Sequence, residues 1–225
     1  MSLVPRPLLV RHDPHAPSRR HTLLLAAAAA GSVALTALLV ANMDADEQWA
    51  IDARVRDVLR LRRAPRIRRT VRAVGRAGTM AVYAPLAVLA MAAVAVRRGP
   101  RRALPIGAAV GGAALGTFVL KHLVQRPRPV GPDGPVNSHP SFPSGHATRA
   151  TALVSIMAYV AVRERIASAL VVTPIAAAVA LATGASRAYA DAHWTTDIVG
   201  GWAAGVTSMA AAALMYERIR AEEHR

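Results

Sequence analysis

Eight residues of this chain have the types and spacing of a phosphoryl-transfer site: Lys121, Arg128, Ser144, Gly145, His146, Arg187, His193 and Asp197. Three cations converging on one point suit a phosphate dianion. Two arginines can each grip it bidentately, and a lysine adds a point charge. Ser144 and Gly145 sit where a helix should begin, so free backbone N–H groups and the helix dipole offer an anion site there. Gly145 leaves the backbone open to close approach, and Ser144 can donate its hydroxyl. His193 and Asp197 are four residues apart, which places them on one helical face. A carboxylate on one ring nitrogen fixes the tautomer and leaves the other nitrogen free to attack. His146, from a different loop, is then available to protonate a leaving oxygen. This division of labour needs no metal. A single histidine or arginine beside an apolar run is ordinarily a hydrated surface group or a topology determinant, and His122, His139, Arg126 and Arg149 are read that way.

These residues need a frame, and the frame is apolar. Of 225 residues 53% are hydrophobic, and they are segregated into long runs with the charges between them, the pattern of a membrane protein. Thr22 to Ala41 is an uncharged run of 20 residues, enough to cross a bilayer. It is too long for the apolar region of a signal peptide, and no clear cleavage site follows. Further runs cover Thr79 to Val96, Leu104 to Leu120, Ile166 to Thr183 and Ile198 to Tyr216. A shorter one, Ala150 to Val162, lengthens if His146 to Arg149 form its first turn. The expectation is an all-α fold, an integral membrane bundle of six transmembrane helices. Residues 1–21 read as a disordered basic tail, 22–216 as the membrane domain with core motifs in 121–197, and 217–225 as a charged tail. Glycines four apart in the third run (Gly107, Gly111, Gly112, Gly116) and in the sixth (Gly201, Gly205) favour close helix packing. The two polar stretches, Lys121 to His146 and Ser186 to Asp197, are separated by two crossings. They therefore lie on one side of the membrane, where their residues can meet.

The net charge of +15 comes almost wholly from arginine. In a membrane protein such charge flanks spans and meets anionic headgroups. With aromatic residues at 4% and no stacking platform, a nucleic-acid partner is not expected. The absence of cysteine excludes disulfides, thiolate catalysis and cysteine-bound metals. Between Arg54 and Arg76 ten arginines alternate with apolar residues, which suggests an amphipathic helix on the membrane surface, broken at Pro65. There the arginines would gather anionic substrate. With a cytoplasmic N-terminus, 13 arginines fall inside against those ten plus the site cations outside, a small margin for that orientation.

Taken together the motifs resemble the type 2 phosphatidic acid phosphatase superfamily, the lipid phosphate phosphatases. The first, K-x6-R-P, is Lys121 to Arg128-Pro129. The second, P-S-G-H, is Pro143-Ser144-Gly145-His146. The third, S-R-x5-H-x3-D, is Ser186-Arg187 through His193 to Asp197. The resemblance implies a transient phosphohistidine at His193, oriented by Asp197, with His146 as general acid. Lys121, Arg128, Ser144, Gly145 and Arg187 would hold the phosphoryl oxygens. It implies no metal and no cofactor, and a site on the extracytoplasmic face of the plasma membrane. The expected substrate is a polyprenyl pyrophosphate of the undecaprenyl or decaprenyl type, a carrier lipid of cell-wall biogenesis. Phosphatidic acid, phosphatidylglycerophosphate and a polyprenyl-phosphoribose phosphate are the alternatives. A lipid-linked phosphotransferase is a second class. A non-enzymatic scaffold is disfavoured because no signature position is lost.

Overall fold

The computed structural model describes residues 19–43, 49–61, 65–130 and 138–223, and among them there is helix and no strand. Helix α1 spans Arg19–Ala41, α2 Ala50–Leu61, α3 Pro65–Ala77, α4 Met80–Arg98, α5 Leu104–Val124, α6 Gly145–Arg163, α7 Ala169–Tyr189 and α8 Thr195–Glu223, with a one-turn 3-10 segment at Pro100–Ala103 before α5. Five of these (α1, α4, α5 with its 3-10 turn, α7 and α8) are long and apolar enough to cross a membrane. The sixth helix of the bundle is α6. It is 19 residues long, begins with the polar sequence Gly-His-Ala-Thr-Arg, and packs against α5, α7 and α8. Large apolar side chains such as Leu24, Leu38, Val88, Leu89, Leu115, Leu170 and Val171 stand exposed around the bundle, as lipid contact requires. The chain is a multi-pass, all-α membrane protein.

Helix α8 is the axis, touching α1, α5, α6, α7 and α2. It approaches α6 closely because of two glycines. A Cβ on Gly201 would lie 2.8 Å from the Ser144 carbonyl oxygen and 2.9 Å from Ala147 Cβ, and one on Gly205 would lie 2.7 Å from the Thr148 carbonyl. The glycines of α5 do less: Gly111 and Gly116 have nothing within 4 Å of such a Cβ. The stripe in α8 is a packing seam, whereas that in α5 is mostly open.

Three boundaries differ from the sequence reading. Helix α1 already includes Arg19 to His21, which the composition assigned to the tail; residues 1–18 lie outside the described residues. Helix α8 runs through Glu223, so the charged stretch from Glu217 is helical, with Glu217 and Arg220 buried. Pro65 opens α3 rather than merely ending α2, as the fixed φ of proline allows at a first helical position.

The sequence reading laid this segment on the membrane surface as an amphipathic helix with its arginines at the headgroups. In α2 Ile51, Val58 and Leu61 are exposed, as such a helix requires, while Asp52 is buried and Arg56 and Arg60, at four-residue steps from it, reach back to the protein. Arg56 donates to Asp191 (2.9 Å) and to the Val130 carbonyl, and Arg60 reaches the same two groups at 3.3 Å each. At the far end of the bundle Glu164 pairs with Arg98 (2.7 Å) and Arg102 (2.9 Å), and Glu217 with Arg163 (2.6 Å). The α5–α6 and α7–α8 connections therefore share one end, as two intervening crossings demand, and α2 lies across both.

Candidate active site

Helix α5 ends at Gln125, which takes a left-handed conformation (φ 49°). The Arg-Pro-Arg-Pro run that follows cannot continue a helix, since a residue before proline is driven to extended backbone. An extended chain sends residues two apart to the same side. Arg126 and Arg128 are accordingly delivered together to the His193–Asp197 pair. Arg128 NH1 lies 3.2 Å from His193 Nε2, and Arg126 NH1 donates to Asp197 Oδ1 at 2.9 Å. Carbonyls fix the Arg128 fork from behind: Nε donates to His139 O (2.9 Å) and NH1 to Ala192 O (2.6 Å). Lys121, in the last turn of α5, donates to Pro140 O and, at 3.3 Å, to Ser141 O.

His193 sits in the turn just before α8 and is 5% exposed; Asp197 lies in the first turn and is fully buried. Nδ1 of His193 is 3.4 Å from Asp197 Oδ2, close enough to face the carboxylate but not an aligned hydrogen bond. The same Oδ2 accepts the Trp194 backbone N–H at 2.9 Å, so the carboxylate is fixed toward the ring. Nδ1 thus faces Asp197 and Nε2 faces Arg128. Burial pushes the His193 imidazole down to about 4; Asp197 pulls it upward, and Arg128 and Lys121 push it down. At neutral pH the ring is therefore uncharged, with its lone pair available.

Ser144 is the N-cap residue of α6, with Gly145 and His146 opening the helix. The Ser144 backbone N–H donates to Asp197 O (2.9 Å), tying the two motifs together. Its hydroxyl is buried and has no partner among the described residues, as is the case for Nε of Arg149 and of Arg187. The Ser144 hydroxyl at the start of α6 and these two guanidinium nitrogens are buried donors suited to an anion. Arg187, in the last turn of α7, is within electrostatic range of His146 and Arg128. A cavity of about 610 Å³ opens over this cluster, lined by Lys121, Arg128, Gly145, His146, Arg149 and His193 among others. Of the eight residues picked from the sequence, Lys121, Arg128, Gly145, His146 and His193 line the cavity; Asp197 stands behind His193, Ser144 precedes Gly145, and Arg187 acts on His146 and Arg128 electrostatically.

The sequence reading assigned Arg126 and Arg149 to ordinary surface or topology roles, and both assignments are corrected. Arg126 is 3% exposed and carries two buried ion pairs, to Asp197 (2.9 Å) and Asp52 (2.8 Å). The Arg-Pro-Arg-Pro alternation could have flagged it. Arg149 stands one turn above Gly145, on the face of α6 that lines the cavity. His122 and His139 also line the cavity. Helix α3 covers the other side: a Cβ on Gly78 would lie 2.8 Å from the His146 ring, and one on Gly75 would lie 2.9 Å from Arg187 NH1.

The sequence model of the PAP2 superfamily matches residues 102–221, more than half of the chain. This protein belongs to the PAP2 superfamily. All the motif residues of this PAP2 protein fall inside the matched region. A PAP2-type relative, phosphatidylglycerophosphatase B of Bacillus subtilis (strain 168), is 34% identical over 91 residues, which are 39% of this chain and 45% of that protein. The matched stretch thus spans under half the length of that relative. The crystal structure of a transmembrane PAP2 type phosphatidylglycerolphosphate phosphatase from Bacillus subtilis superposes with a TM-score of 0.75, covering 88% of this chain and 97% of that one at 24% identity. The PAP2 fold extends beyond the motif region to most of the chain.

Proposed function

We propose that the protein is a metal-independent membrane phosphatase that hydrolyses a lipid phosphate or lipid pyrophosphate through a phosphohistidine on His193. The observation that carries this is the split of the His193 ring: Nδ1 toward a buried carboxylate, Nε2 toward the cavity and the Arg128 guanidinium. In the first step Nε2 attacks phosphorus. The bond to the leaving oxygen breaks, and His146 supplies that oxygen with a proton; burial and its cationic neighbours favour the neutral ring, so it carries that proton once a bound phosphate dianion offsets them. In the second step water attacks the phosphorus of the phosphohistidine, His146 takes the water's proton, and the P–N bond returns its electrons to Nε2. Arg128, Lys121, Arg187 and the Ser144–Gly145 N-terminus bind the phosphoryl oxygens, whose charge grows in the transition state.

The cations around the cavity bear on the substrate. Lys121, Arg128 and Arg149 line it, no carboxylate does among the described residues, and Arg187 acts electrostatically on His146 at its edge. This exceeds the charge of one phosphate monoester and favours a pyrophosphate, of the polyprenyl (undecaprenyl or decaprenyl) class used in cell-wall biogenesis. Phosphatidylglycerophosphate is the second reading, favoured by the name of the curated relative. The location we propose is the plasma membrane with the site on the extracytoplasmic face; the arginine count gives this its margin. Phosphate release by purified protein in EDTA, across polyprenyl pyrophosphate, phosphatidylglycerophosphate and phosphatidic acid, tests the assignment. Wild type should be active and His193→Ala inactive. Equal activity in the two, or its loss in EDTA, contradicts the proposal.

A further inference from the structure

We propose that Asp52, on α2 and outside every signature motif, is a positioning residue for the reaction: through Arg126 it holds Asp197 against His193 and preserves the negative charge that Arg126 alone would cancel. This rests on the reading of His193 as the nucleophile.

Asp52 is 1% exposed, and its side-chain bonds go to the catalytic apparatus. Oδ1 accepts the backbone N–H of Thr196 (2.9 Å), one of the four N–H groups that the start of α8 cannot satisfy within its own helix. Oδ2 accepts the Thr196 hydroxyl (2.7 Å) and Arg126 NH2 (2.8 Å). The other terminal nitrogen of Arg126 donates to Asp197 Oδ1 (2.9 Å) and Thr196 Oγ1 (2.6 Å). One guanidinium therefore bridges two buried carboxylates, and the second carboxylate faces His193.

The charge count explains why two carboxylates are needed. A buried Arg126–Asp197 pair is neutral by itself, and a neutral pair stabilises little positive charge on a neighbouring ring. Attack at phosphorus turns His193 into a positively charged phosphoimidazolium. With Asp52 present, the Asp52–Arg126–Asp197 unit carries one net negative charge, available to that ring in a low-dielectric site. Asp52 is not the sole anchor of α2, since Arg56 and Arg60 hold the same helix to Asp191. Its loss therefore leaves α2 docked while changing the charge behind Asp197.

The test compares wild type with Asp52→Asn, Asp52→Glu and the double variant Asp52→Asn/Arg126→Gln, purified in detergent, on a short-chain lipid phosphate. Asp52→Asn keeps an acceptor for the Thr196 N–H, but it removes the charge and puts an amide NH2 where Oδ2 accepted from Arg126 and the Thr196 hydroxyl. Its kcat should fall about 10- to 100-fold, the order seen when an outer partner that orients a site's reacting groups is lost. KM should stay within about threefold, because substrate contacts are unchanged. The acid limb of kcat/KM should move to lower pH. His193 is faced by Asp197 from α8, Arg128 from the extended segment and Lys121 from α5, and less negative charge there makes it harder to protonate. The double variant removes one charge of each sign and should recover activity relative to Asp52→Asn; Asp52→Glu should exceed Asp52→Asn. Wild-type kcat in Asp52→Asn overturns the proposal. So does a loss without movement of the acid limb, and so does a double variant no better than the single one. If Asp52→Asn does not fold, the ordering of Asp52→Glu and the double variant decides in its place: both inactive while folded overturns the proposal. A dead His193→Ala beside a wild-type-like Asp52→Asn sinks this inference alone, whereas an active His193→Ala sinks the nucleophile reading itself.

Discussion

Arg128 NH1 lies 3.2 Å from His193 Nε2, and the same nitrogen donates to Ala192 O at 2.6 Å. The guanidinium is thus held at the attacking atom by the backbone that precedes the nucleophile. Its planar fork serves the ring and the carbonyls of His139 and Ala192 at once, and in the proposed mechanism it also takes a phosphoryl oxygen. A lysine cannot reproduce that geometry. Arg128→Lys should lower kcat about 10²- to 10³-fold, the loss seen when one transition-state donor is removed, with a smaller change in KM. Steady-state kinetics on a lipid phosphate check this; a KM effect alone would make Arg128 a ground-state contact.

The depressed imidazole of His193 sets a pH dependence. Burial lowers it from 6.5 to about 4, so the ring stays neutral and nucleophilic until the pH approaches about 4. Once corrected for substrate ionisation, the acid limb of kcat/KM should lie near that value, well below an ordinary imidazole. The same shift affects stability. Because the folded value is depressed, the unfolded chain binds the proton first. The contribution is complete above 6.5 and is lost as pH falls toward about 4. Thermal unfolding in detergent should show a loss over that window in wild type that is smaller in His193→Asn.

Close packing of α6 on α8 places the Ser144-Gly145-His146 turn. Gly201→Val should force α6 away from the Ser144 carbonyl, costing about 1–3 kcal/mol by overpacking and reducing kcat as well. Gly111→Ala on α5, where nothing lies within 4 Å, should leave activity unchanged and stability equal or higher. Melting temperatures and kcat of the pair separate packing from glycine content.

The convergence of the eight candidate residues was legible in the sequence because local rules governed it: motif spacing, run length and the parity of crossings. The glycine spacing pointed to α5 and α8 alike, and only in α8 do Gly201 and Gly205 form a tight seam. The partners from α2 were not legible. Asp52 lies 145 positions before Asp197, and no periodicity links them. The apolar stripe of α2 was visible, and Ile51, Val58 and Leu61 are exposed as a membrane-surface helix requires. The stripe does not reveal that the polar side carries Asp52 and Arg56 to the site loops, because that pairing is set by tertiary contact. Arg126 was discounted for a similar reason. Taken singly, an arginine after a span is a topology determinant, and only the buried carboxylates on either side give it another role.

The opposite end of the bundle offers a control. Glu164 accepts from Arg102 (2.9 Å) and the Tyr216 hydroxyl and pairs with Arg98 (2.7 Å). Along α6 it stands about 27 Å from His146, at 1.5 Å per residue. Glu164→Ala should destabilise by about 1–2 kcal/mol: Arg102 keeps its ion pair with Glu223 (2.6 Å), while the buried Tyr216 hydroxyl loses its acceptor. The kcat per folded molecule should not change. A fall in kcat without a fall in melting temperature would show that the ends are coupled.

Arg149 bears on the number of phosphates. Arg149→Gln should raise KM for a polyprenyl pyrophosphate more than for a phosphate monoester of the same tail. An equal effect on both would tie Arg149 to the first phosphate instead.

The phosphohistidine is the central claim, and trapping it is the most direct test. Protein mixed with lipid carrying a labelled terminal phosphate should be quenched in alkali within one turnover and digested. The account predicts label on the peptide containing His193, stable to alkali and released by acid, and none in His193→Ala. Label on another residue, or full turnover in His193→Ala, would contradict it.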